Sequence, residues 1–124
     1  MSRQKSMMQN ITTVTTTSAS PAQAGTDVLR VGNNRSGVVF LDVYNTSGTA
    51  VIAIQTTADD VNGSSNPASP DTWISLATFS GITTFTSMKV TITDLGESIR
   101  WRVTTVPTGA GITFRLIAFL SDQN

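Results

Sequence analysis

From residue 25 onward, apolar and polar residues alternate with a period of two along most of the chain, and that period predicts strands. The alternation is cleanest over residues 98–106, where Ile99, Trp101 and Val103 fall on one face and Arg100, Arg102 and Thr104 on the other. Residues 112–121 repeat it, with Ile112, Phe114, Leu116, Ala118 and Leu120 inward and Thr113, Arg115, Ile117 and Phe119 opposite. That strand starts one-sided and ends apolar on both faces. Residues 37–44 (GVVFLDVY) are apolar on both faces, as a central buried strand is. Further strands are predicted at 27–31, 50–57 and 72–79, and a long strand region at 82–94. Gly, Asn, Asp and Pro clusters at 32–34, 45–48, 94–97 and 107–111 mark the turns. The short spacings from Tyr44 to Ala50 and from Val106 to Ile112 predict hairpins, so the last two strands are expected to pair.

No segment carries a helical period of useful length. Seven strands at short spacing predict an all-β fold, an antiparallel β-sandwich. A jelly roll needs eight strands, and residues 11–18 (ITTVTTTS) can supply the eighth, paired within the subunit or with a neighbour. The expected organisation is an extended N-terminal arm over 1–24 and a jelly-roll-like sandwich over 25–124. The arm is rich in Thr and Ser and has no acid to balance Arg3 and Lys5. It cannot bury enough apolar surface to offset an ordering cost of about 1–2 kcal/mol per residue. A neighbouring subunit is its expected holder. Met7, Met8, Ile11 and Val14 are its apolar anchors, and the outward Ile117 and Phe119 are expected to join them in contacts with partners.

Composition narrows the chemistry. The net charge is zero and only 13% of residues are charged, which argues against nucleic acid as the main partner. No apolar run reaches the length of a membrane span, and no signal-peptide pattern is seen. There is no Cys and no His. That removes thiol catalysis, disulfides, Cys/His zinc sites and any His base, and predicts weak pH dependence near neutrality. No cofactor is expected, and no enzyme.

The remaining candidates each have a plain structural alternative. Asp59, Asp60, Asn62, Asn66 and Asp71 make the long loop 58–71 oxygen-rich, yet the calcium-loop register is missing and these residues also simply make turns. Trp101 lies on an inward face and reads as core. Trp73 follows the loop and reads as a glycan platform, with Tyr44, or as an interface anchor. Arg100, Arg102 and Arg115 share outward faces near the C-terminus. They read equally as a grip on a partner's carboxylates or as cross-strand partners of Asp42, Asp94 or Glu97. Asp94 and Glu97 flank a turn, the one carboxylate pair placed for acid–base chemistry.

A polar Thr/Ser-rich arm followed by one Cys-free β-domain, with stretches such as GVVFLDVYNTSGTAVIAIQTT (37–57) and ESIRWRVTTVPTGAGITFRLIAF (97–119), resembles the decoration (cement) proteins of tailed-bacteriophage capsids. Tail, neck and head-fibre modules share this style. The resemblance implies a virion structural protein on the capsid outer surface. It would be a dimer or trimer that binds the major capsid protein and stabilises the shell. A carbohydrate-binding β-sandwich for host attachment is the alternative.

Overall fold

The period-two segments become eight strands in a computed structural model that describes residues 3–15, 22–23, 28–58 and 73–122. They are β1 (Arg3–Val14), β2 (Leu29–Arg30), β3 (Ser36–Thr46), β4 (Ala50–Thr57), β5 (Ile74–Ile82), β6 (Thr86–Thr93), β7 (Ser98–Thr105) and β8 (Ile112–Ser121). The strands form two four-stranded antiparallel sheets, ordered β1-β8-β3-β6 and β2-β7-β4-β5. Strict alternation along β8 sends Phe114, Leu116 and Leu120 into a core shared with Leu41 of β3 and with Ile52, Ile54, Phe79, Ile99 and Trp101 of the second sheet. Trp101 meets Phe114 edge-to-face, with ring centres 5.2 Å apart. Trp101 is a core residue, as its inward face predicts.

Neither expected hairpin forms. β3 and β4 lie in different sheets, and so do β7 and β8. The two turns bond to each other instead of closing ladders. The Ser47 hydroxyl donates to the Thr108 carbonyl at 2.6 Å and accepts from the Gly111 N–H at 3.0 Å, while the Ser47 N–H donates to the Gly111 carbonyl. Gly111 holds φ +79, and a Cβ there would collide with the Val14 carbonyl. The predicted region 82–94 is likewise broken at 83–85, where the chain passes from the second sheet to the first.

The N-terminal segment also departs from expectation. Over Arg3–Val14 it is an edge strand of the first sheet, antiparallel to β8 from Arg3↔Ser121 to Val14↔Ile112. Its holder over these residues is its own domain. Of the predicted strand 11–18, residues 11–14 are strand and the pairing extends back to Arg3, while residues 16–18 lie outside the described residues. Met8 and Val14 enter the core, so they are packing residues and not the partner pegs expected of them. Met7 and Ile11 do stay exposed. A bulge between Met7 and Gln9 breaks the ladder with β8. There the Met8 carbonyl accepts from Gln23 Nε2 at 2.8 Å, and Gln9 Oε1 accepts from the Trp101 indole N–H at 2.9 Å. The Gln23 N–H donates in turn to the Trp101 carbonyl at 3.0 Å. Polar bonds from Gln9 and Gln23 thereby tie the edge of the first sheet to the second.

Candidate functional site

The outer face of the first sheet carries a half-exposed apolar stripe. Register sets its rows. Lys5, Phe119, Val38 and Thr91 lie side by side, and so do Met7, Ile117, Phe40 and Lys89. Phe40 and Phe119 pack edge-to-face at 5.6 Å. The expected outward positions Ile117 and Phe119 are here joined with Met7 from β1 and with Val38 and Phe40 from β3. The last two were hidden in the sequence because 37–44 is apolar on both faces. Lys5 and Lys89 stand at opposite edges of the stripe. Next to it, Arg115 meets Asp42 across the β3–β8 ladder, Nη2 to Oδ2 at 2.8 Å and Nε to Oδ2 at 2.9 Å. The Ser87 hydroxyl donates to Asp42 Oδ1 at 2.9 Å. This hydroxyl first, and then Arg115, hold the Asp42 carboxyl below its ordinary value of 3.8, against burial, which pushes it up. Arg115 thus takes its cross-strand reading.

Arg100 and Arg102 sit far from it, on the outer face of the second sheet, so the three arginines do not make one patch. In that face Ser75 of β5, Gln55 of β4 and Arg100 of β7 form one row. Arg100 is only 7% exposed. Its Nε donates to Gln55 Oε1 at 2.9 Å, and its guanidinium lies 4.3 Å from the ring centre of Trp73. Burial first, and then the charge of Arg102, lower the Arg100 pKa to about 10, so it remains a cation at neutral pH. Among the described residues no carboxylate pairs with it. Trp73 Nε1 and Ser98 Oγ are buried without a hydrogen-bond partner.

The glycan platform is not assembled. Trp73 is buried under Arg100, whereas Tyr44 is exposed on β3 of the other sheet, at the end where β3 turns into β4. The register Val43↔Thr86 instead brings Tyr44 to the same end as Phe85, the most exposed large apolar side chain described. Asp94 takes a left-handed backbone, φ 57, in its exposed turn, and Glu97 lines an open polar cleft of about 500 Å³ with Asn33, Asn34 and Arg35. The calcium candidates Asp59, Asp60, Asn62, Asn66 and Asp71 lie outside the described residues. Among the described residues there is no cluster of metal-ligating side chains, and no helix is long and apolar enough to cross a membrane. Comparison of the chain with protein-family models, curated proteins and solved structures finds no match.

Proposed function

We propose that this chain is a jelly-roll β-sandwich that serves as a virion structural protein, a decoration protein that binds the major capsid protein of a tailed-phage shell. The observation that carries the reading is the stripe of Met7, Val38, Phe40, Ile117 and Phe119 on an otherwise sparsely charged molecule. A contiguous apolar face with a polar rim is a protein-docking surface. Two four-stranded antiparallel sheets ordered β1-β8-β3-β6 and β2-β7-β4-β5 support the jelly-roll reading, an architecture used by capsid and lectin domains. Lys5 and Lys89 at the rim suit an acidic surround on the shell. They also oppose packing of this face on its own copy, since Asp42, the carboxylate beside the stripe, is already bonded to Arg115. Oligomers of dimeric or trimeric symmetry would form through other surfaces.

The test is co-sedimentation with tailed-phage shells stripped of decoration protein. The double variant I117T/F119T should keep its strand circular dichroism and lose at least about tenfold in shell affinity, the scale of one hot spot. Unchanged pelleting of the folded variant, or no pelleting of the parent chain, would refute the reading. A glycan array that finds a ligand dependent on Tyr44 would favour the host-attachment alternative.

A further inference from the structure

The geometry points to a carboxylate-binding site on the outer face of the second sheet, where Arg100 receives an Asp or Glu side chain of a shell protein. Gln55 and Trp73 immobilise the guanidinium from two directions. Gln55 Oε1 accepts from Nε at 2.9 Å, and the guanidinium carbon sits over the Trp73 ring, 4.3 Å from its centre. What is left is the fork of terminal nitrogens, from which no hydrogen bond runs to a described residue. A guanidinium held this way has already lost its rotamer freedom, and the fork matches the two oxygens of a carboxylate.

The surroundings ask for an acceptor. Arg100 is more than nine-tenths buried, and a buried cation is costly without an anion. The Trp73 indole N–H, on the ring that Arg100 covers, is a buried donor with nothing to donate to. Ser98, whose hydroxyl is also unpartnered, lies two residues before Arg100 on the same side of β7. Arg102 adds a second positive charge two residues beyond. A carboxylate at the fork compensates the charge, whereas a neutral acceptor leaves it uncompensated. The stripe and this site lie on opposite faces of the molecule, which lets one subunit bridge two shell proteins. The shell protein as the source of the carboxylate, and the bridging, rest on the shell-binding reading, while the carboxylate site itself does not.

The test is a titration of the full chain, followed by the arginine Nε–H and indole N–H signals in ¹⁵N-edited NMR. Sodium acetate should move the Arg100 and Trp73 signals saturably, and sodium chloride of equal ionic strength should not. R100K and R100M should abolish the acetate response while keeping the strand circular dichroism of the parent chain. A response of Arg100 that does not saturate, or none at all, overturns the site. An Arg100 already held by a carboxylate of its own chain gives that second result. The tripeptide Gly-Glu-Gly should bind at least as tightly as glucuronate, and a tenfold preference for glucuronate would overturn a protein source. In shell sedimentation R100K should cost about tenfold. Acetate binding without any shell binding would sink the proposed function and leave the site standing. Shell binding unchanged in R100K would sink this site's role and leave the function standing.

Discussion

At the scale of single residues, the core forces the polar groups it buries into partnership. Trp101 brings an indole N–H into the interior, and Gln9 reaches in from a bulged strand to accept it. W101F keeps the edge-to-face contact with Phe114 but strands the Gln9 amide. It should cost about 1–2 kcal/mol in urea unfolding, the usual range for a lost partner at a part-buried site. Met8 fills the core beside that bulge, and M8A should cost about 2–4 kcal/mol by the same measurement. Asp42 gives an acid signature. Its folded pKa is depressed, so its contribution is full above the ordinary value of 3.8 and drains away as the pH falls through the folded value. D42N should flatten that limb of the urea midpoint against pH and lower the midpoint across the neutral range, where the contribution of the ionised carboxylate is full.

At the scale of elements, β1 changes what truncation does. An arm lying outside the domain could be removed without harm, but β1 supplies Met8 and Val14 to the core and covers the edge of β8. Deleting residues 1–15 should lower the melting temperature and expose a long unpaired edge. Light scattering should then show self-association on warming. β7 and β8 were legible because apolar residues alternate along them, and β3 because it is apolar on both faces. β1 was not, because most of its residues are polar and its pattern shifts at bulges between Met7 and Gln9 and again before Thr12. The pairing was illegible for another reason. A short Gly/Pro turn serves a hairpin or a corner between sheets equally well, and here bonds between Ser47 and Gly111, over 60 residues apart in sequence, decide for the corner. The candidate sites followed the same limit. Ile117 and Phe119 could be read as outward, but their neighbours Val38 and Phe40 could not, and nothing in the sequence announced that Trp73 would lie under Arg100.

At the scale of the whole molecule, charge is scarce and balanced, with a pI near 6.0. Solubility of the free chain should pass through a minimum near pH 6, measurable by turbidity, and shell binding should relieve it by covering the stripe. The absence of His predicts unfolding midpoints that are level between about pH 6 and 8. Under the proposed function, the two unlike faces, one apolar with lysines at its rim and one holding a fixed guanidinium, would serve as the two attachments that a cement needs.

The pairing of β1 with β8 has a further consequence, in time instead of space. Of the eight strands described, the first in sequence lies against the last, so the first sheet cannot be completed until β8 has been made. Closing so long a loop is slow, and folding should take milliseconds to seconds. Until then β1 waits as an unpaired strand that can zip onto the β8 of another copy. A circular permutant that links residue 121 to residue 3 through a short flexible joint, and opens instead at an exposed turn, makes that contact local. It should refold faster in stopped-flow fluorescence of Trp101 and yield fewer exchanged dimers at high concentration.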